Sequence, residues 1–342
     1  MPPLTGIPPE VLLTRHGLTA RQINSLSGRT VYPESAAGQI AAFEMTRELF
    51  AVSEAFSQKG IEFIPLKGPV LSHRLYGDAT RRHYGDLDIL VRVASVGGAR
   101  LILKELGYNE DDPVWPGSDR KQRVLIRHTN EIFFTHREKS ILVELHWQLL
   151  KTLPAKAARF EDIADRNLTV IDFGGRSFSV FSNELELLWL IIHGGVHWWR
   201  RLKWLVDVKT LLETQPVDWK VFAALTEEMK ATRMVGLCQA VLAEYFPGGP
   251  AIEGEFHVSS FMVRFSLKRI AADDDLISDF HRRALQTLIF TLISFPGLRY
   301  KIRAIRNHLF IKEYFGKSQF LDWLPMFYFY GTVRQFLFRL KR

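Results

Sequence analysis

Between Ile61 and Val93 the chain reads IEFIPLKGPVLSHRLYGDATRRHYGDLDILVRV, and the order of residue types there constrains the fold more than any other stretch. The apolar run IEFIPL has the length of a strand and ends at Lys67-Gly68. Pro69 then suits the first turn of a helix, so residues 69–76 are expected to be a short helix. A second strand, residues 86–93, opens with Asp86-Leu87-Asp88. Side chains two residues apart on a strand share a face and lie roughly 7 Å apart. Two carboxylates held that close are costly unless a cation or a proton sits between them.

The surrounding pattern extends this unit into a mixed fold. Residues 35–59 have apolar Ile40, Phe43, Leu49, Val52 and Phe56 near helical spacing, and Gly60 is a helix stop. GGARLILKELG, residues 97–107, reads as a further helix, and residues 109–121 read as a polar loop. EIFFTH (131–136) and SILVELHWQL (140–149) read as strands, joined by a tetrapeptide that lacks Asn-Gly hairpin chemistry. Residues 1–35 are rich in Pro, Gly, Ser and Thr and read as a short helix and loops. From Asn183 onward the pattern is helical almost throughout. The expected class is α+β, a mixed sheet flanked by helices followed by an all-helical C-terminal region. The expected division is an N-terminal extension (1–35), an α/β domain (36–180) and a helical domain (181–342).

Composition narrows the setting. A chain of 342 residues with 47% apolar content can bury a sizeable core. A formal net charge of +8 favours anionic partners. Cys238 is the only cysteine, which excludes an intramolecular disulfide and Cys-rich zinc frameworks. Its apolar helical context, MVGLCQAVL, marks it as a small core residue. The start lacks the pattern of a signal peptide, and the most apolar stretches are too short or are broken by Asp322, Pro325 and Arg334. A cytoplasmic location is expected.

The chemistry follows from which residues share a face. Glu144 and His146 share one face of VELHW. If that strand lies beside the Asp86–Asp88 strand, three carboxylates converge. Such a set suits Mg2+ or Mn2+, and paired ions about 3.5–4 Å apart serve in-line displacement at phosphorus. The Lys67-Gly68 turn opens a helix N-terminus, where free amides and the helix dipole favour phosphate. Gly68 permits close backbone approach, Lys67 adds a cation, and Arg81 and Arg82 offer planar forks to phosphate oxygens. His193 and His197 share a helix face, though not in an HExxH order. Together with His146 and Arg201 they are candidate substrate-site residues. The alternative for HWWRRLKWLVDVK is an amphipathic helix with Trp204, Leu205 and Val208 in the core, where Asp207 serves a local polar network or a histidine. The basic, amphipathic C-terminal region, LRYKIRAIRNHLFIKEYFGK (298–317) and the aromatic tail after it, suits docking on the body of the protein or weak contact with a membrane surface.

Lys67-Gly68, Tyr76, Arg82, Gly85-Asp86-Leu87-Asp88-Ile89-Leu90-Val91 and Glu144-Leu145-His146-Trp147 occur here in one order. His193, His197, Arg201 through Asp207, and Asp218-Trp219 follow. In these motifs the chain resembles the uncharacterised nucleotidyltransferase family within the polymerase-beta-like nucleotidyltransferase superfamily, over roughly residues 40–245. The resemblance implies metal ligands at Asp86, Asp88 and Glu144. It implies transfer of a nucleoside monophosphate from a nucleoside triphosphate to a hydroxyl, with release of pyrophosphate. The acceptor is then a small molecule, a peptide or protein side chain, or an RNA end, and the absence of an evident nucleic-acid-binding module favours the first two. One departure stands out: the superfamily usually has Gly-Ser at the phosphate turn, where this chain has Lys67-Gly68-Pro69. Either Lys67 replaces the serine contact or the site takes a different donor. A catalytically silent nucleotide-binding or regulatory protein of the same fold is the alternative.

Overall fold

Alternation along two strands decides how the sheet is built. In EIFFTH the side chains of Ile132 and Phe134 are fully buried while Glu131, Phe133 and Thr135 are half-buried, and ILVELH alternates in the same way. The computed structural model describes residues 6–28, 30–33, 35–111, 115–150, 166–272 and 280–309. In chain order its elements are α1 Pro9–Thr14, α2 Ala20–Ser27, α3 Ala36–Gln58, β1 Phe63–Pro65, α4 Gly68–Tyr76, β2 Asp86–Val91, α5 Val96–Glu105, β3 Asn109–Glu110, α6 Asp119–His128, β4 Glu131–His136 and β5 Ile141–His146. They continue with β6 Leu168–Phe173, β7 Arg176–Phe181, α7 Asn183–Val196, α8 Leu202–Thr214, α9 Trp219–Glu228, α10 Thr232–Tyr245, α11 Ser260–Ala271, α12 Phe280–Ser294 and α13 Leu298–Leu309. The class is α+β: a mixed five-stranded sheet with helices, then a helical C-terminal region.

The sheet order is β1-β2-β5-β4-β3. β1 runs antiparallel to β2, β4 to β5, and β3 to β4, while β2 and β5 are parallel. In that parallel pair Asp86 stands beside Leu142, Asp88 beside Glu144, and Leu90 beside His146. With a side-chain period of two, this register gathers the acidic positions on one face. The other face carries Leu87, Ile89, Val91, Val143, Leu145, Ile132 and Phe134, all buried.

The chain divides into two compact units, and neither is one continuous segment. The sheet unit comprises Leu49–Leu66, Asp86–Asp165 and Pro296–Arg342. The helical unit comprises Met1–Glu48, Lys67–Gly85 and Arg166–Phe295. In the helical unit α7 is the central element, in contact with α8, α9 and α10, and Leu185 and Leu187–Ile192 are buried along it. Ser182 starts it by accepting the Leu185 amide, a standard N-cap. Cys238 is buried on α10, as its apolar context implied, and burial raises its thiol well above the usual range.

Three details differ from the sequence reading. Residues 109–121 are not all loop: Asn109 and Glu110 pair with β4, and α6 begins at Asp119. Ser118 caps it, and Asp119 in the first turn suits the helix dipole. On α3 the buried stripe is Ala42, Met45, Leu49, Val52 and Phe56, so Ile40 and Phe43 are exposed rather than core. Residues 168–181 form the hairpin β6–β7, turned by Gly174 and Gly175, both at positive φ (62° and 74°) as a tight two-residue turn demands. Among the described residues no helix is long and apolar enough to cross a membrane. Of the basic C-terminal region, for which the sequence left docking on the body or membrane contact open, residues 298–309 are described and those from 310 onward lie outside the described residues.

Candidate active site

Within the sheet unit, the parallel register of β2 and β5 sets Asp88 and Glu144 side by side. His146 lies between them: its Nε2 is 3.4 Å from Asp88 Oδ1 and 3.3 Å from Glu144 Oε2. Its Nδ1 is 3.3 Å from Glu131 Oε2, because the β4–β5 register puts Glu131 opposite His146. These approaches are long, and neither ring nitrogen has an aligned hydrogen-bond partner, so the attraction is mainly Coulombic. Burial alone would lower the His146 pKa. The Asp88 and Glu144 carboxylates against it, with the charge of Glu131, outweigh burial and lift it to about 10. Glu144 is shifted upward, first by burial and then by the charges of Asp88 and Glu131, with His146 opposing.

This donor set fits a hard divalent ion. Ligand-type atoms of Asp88, Glu144 and His146 all lie within 4.8 Å of one another. Asp88 is 2% exposed, so its charge is largely removed from water and calls for a cation. Carboxylate oxygens are the donors Mg2+ and Mn2+ take, and imidazole is acceptable to the softer of the two. Asp86 shares the face but stands at the level of Leu142, outside the close cluster.

The other sequence-derived candidates belong to the helical unit. Lys67 is the N-cap of α4, and Gly68 is buried at φ +69°, a conformation side-chain-bearing residues seldom adopt. Pro69 occupies the first turn, as its position implied. Arg82 is buried; its Nε donates to Asp207 Oδ2 at 2.8 Å, and Asp207 is fully buried on α8. Asp207 Oδ1 accepts from the Tyr76 hydroxyl at 3.0 Å, and Gln22 Nε2 donates to that hydroxyl oxygen. Asp207 therefore serves a polar network. Beside it Arg74 Nη1 lies 3.2 Å from Glu186 Oε2, and Arg74 Nη2 donates to Asn183 Oδ1 at 2.7 Å. Glu186 Oε1 is buried without a hydrogen-bond partner. Burial, with the negative Asp207 adding, pushes the Glu186 pKa up to about 7 against the cations Arg74, Arg82 and Lys67.

His193 and His197 meet ring to ring at 4.8 Å, and Trp204 lies 5.3 Å from each. Burial, then Lys67, Arg200 and Arg201, lower His197 to about 4, so it is neutral at physiological pH. After α7 the chain turns through Trp198 and Trp199, both at positive φ (59° and 55°). Trp199 then packs so closely on Gly194 that a Cβ there would come within 2.3 Å of its ring. Two such residues in succession store strain, which the packing holds in place. Arg201, exposed, follows as the N-cap of α8.

The structure thus brings Asp88, Glu144 and His146 together in the sheet unit, with Asp86 on the same face. Lys67, Gly68, Arg82, His193, His197 and Arg201 belong to the helical unit. Glu131 and Glu186 escaped the sequence reading. For Glu131 a signal existed: a four-residue hairpin loop between His136 and Ile141 fixes its register against His146.

Two solved structures align with the chain. The solution structure of the antibiotic-resistance factor ANT(2'')-Ia aligns at 12% identity over 56% of this chain and 93% of that one, with a TM-score of 0.37. The crystal structure of an antigenic nucleotidyltransferase-like protein from Paracoccidioides brasiliensis aligns at 13% identity over 56% and 87%, with a TM-score of 0.31. No curated protein matches. The family model described as "Uncharacterised nucleotidyltransferase" matches residues 33–247, a span that includes Lys67, both β2 carboxylates, Glu144 and His197. The chain belongs to this uncharacterised nucleotidyltransferase family.

Proposed function

We propose that this protein uses Mg2+ or Mn2+ to transfer a nucleoside monophosphate from a nucleoside triphosphate to a hydroxyl of a small molecule or of a peptide or protein. The observation that carries the reading is the pairing of Asp88 with Glu144 across the parallel strands β2 and β5, with His146 between them. Asp88 and Glu144 would hold the ion, with Asp86 further along the same face. When bound, the ion supplies Lewis-acid stabilisation of charge on the phosphate oxygens and the entering hydroxyl. The acceptor oxygen forms a bond to the α-phosphorus, the bond from the α-phosphorus to the bridging oxygen breaks, and pyrophosphate leaves with that electron pair. Glu144, whose proton affinity is raised by burial and like charge, takes the hydroxyl proton.

Lys67 and the amides at the start of α4 bind phosphate oxygens. Arg82, held by Asp207, fixes α4 against α8 and supports that turn. His193, neutral His197 and exposed Arg201 are assigned to acceptor binding.

One observation favours a second reading, a nucleotide-binding protein without turnover. A cationic His146 set among Asp88, Glu144 and Glu131 balances part of their charge without any metal. The discriminating experiment incubates the protein with α-labelled nucleoside triphosphates, Mg2+ or Mn2+, and cell extract. Label transfer that disappears in both Asp88→Asn and Glu144→Gln supports catalysis. Nucleotide binding without transfer, alike in all three proteins, supports the second reading.

A further inference from the structure

Helix α13 carries three lengthwise stripes. Tyr300, Ala304 and Asn307 are buried, at 3%, 3% and 4% exposure. Opposite them Leu298, Ile302 and Ile305 point outward at 72%, 49% and 43% exposure. These residues fall at i, i+4 and i+7, so they form a continuous aliphatic ridge along one face. Arg299, Arg303 and Arg306 repeat the same spacing alongside the ridge, and all three are exposed. The helix contains no acidic residue.

The inward stripe docks on α6, where His128 Nδ1 lies 3.1 Å from Asn307 Oδ1. Both helices belong to the sheet unit. Exposed Arg127 on α6 thereby joins the arginines of α13. The crowding has an electrostatic signature. Burial lowers His128, the Asn307 contact opposes this, and the charges of Arg306, Arg127 and Arg303 carry the value down to about 4.

An aliphatic ridge flanked by cations, on the side of a helix opposite its packed face, matches the boundary between acyl chains and acidic headgroups. Nucleic acid fits less well. Tyr300 is buried and gives bases no exposed phenol ring to stack on, and a phosphate backbone offers no contact to Leu298 or Ile302. A second copy of the chain would bring the same arginines face to face. We propose that α13, with Arg127 beside it, is an interfacial surface that seats this protein on anionic phospholipid. The inference does not depend on the reaction assigned above.

The test is flotation of the full chain with vesicles of phosphatidylcholine, with and without phosphatidylglycerol. Binding is expected to the anionic vesicles only and to weaken with added salt. Removing Arg299 and Arg303 together (Arg299→Ala, Arg303→Ala) should weaken partitioning about fivefold for each cation. Replacing the ridge (Leu298→Asn, Ile302→Asn, Ile305→Asn) should weaken it about tenfold or more. The ridge variant should unfold at the wild-type temperature, since these side chains face solvent. Unchanged binding by the ridge variant overturns the proposal. So does equal binding to neutral vesicles, self-association through α13, or retention by acidic protein or RNA with no vesicle binding. Label transfer is measured separately, so loss of one activity leaves the other legible.

Discussion

Glu186→Gln tests the buried network of the helical unit through its pH dependence. Burial and Asp207 hold the Glu186 carboxyl at about 7 in the folded protein, against an ordinary value of 4.5. A raised carboxyl binds its proton more tightly when folded, so the folded state is favoured while that proton is on. The contribution is fully present below the unfolded value and is lost as pH rises through about 7. The separation corresponds to about 3 kcal/mol between the two limits, at roughly 1.4 kcal/mol per unit. Glutamine keeps an oxygen for Arg74 but cannot ionise. Its stability relative to wild type should therefore climb with pH and level off above about pH 8, having gained about 3 kcal/mol. The assay is urea unfolding of both proteins from about pH 5 to about pH 9, read as the difference between them so that unrelated titrations cancel. Two stability curves running parallel over that range would refute a buried, proton-bearing Glu186.

Three more substitutions probe the packing of the helical unit. Arg82→Met strips the fully buried Asp207 of its charged partner and should cost about 3–5 kcal/mol in denaturant unfolding; adding Asp207→Asn should return part of the loss, and a near-neutral single variant would contradict the pairing. Gly194→Ala places a methyl against the Trp199 ring and should destabilise by about 1–3 kcal/mol, with a red shift of tryptophan emission if Trp199 is displaced into water; unchanged stability and emission would show that the contact is loose. Gly68→Ala forces a left-handed backbone on alanine, so a loss of about 1 kcal/mol is expected. Weaker triphosphate binding in equilibrium dialysis should accompany it, and undiminished binding would remove the turn from the phosphate site.

The elements that sequence made legible are those whose pattern is local. Asp86-Leu87-Asp88 and VELH alternate cleanly, so their strands and the shared face of each could be read directly. Their adjacency in parallel was a conditional statement until the register appeared. Glu131 was hidden because its importance lies in what stands across from it, and a strand's own alternation carries no such information. The α6 helix was obscured by Pro113, Pro116 and Gly117 just ahead of it, though Ser118-Asp119 was a cap in plain view. Two buried ion pairs of the helical unit join residues 125 and 112 positions apart, Arg82 with Asp207 and Arg74 with Glu186. Charges on helices and in loops usually face water, so nothing local marks these four as buried.

The polypeptide leaves the sheet-bearing half at Leu66, returns at Asp86, departs after Asp165 and comes back at Pro296. A cut near residue 180 would thus deprive each half of a strand of its own fabric. The Asp88, Glu144 and His146 cluster therefore sits in a unit that no single cut releases whole. Its neighbour cannot be swapped by recombination at a single junction, and both must be inherited and expressed as one thread.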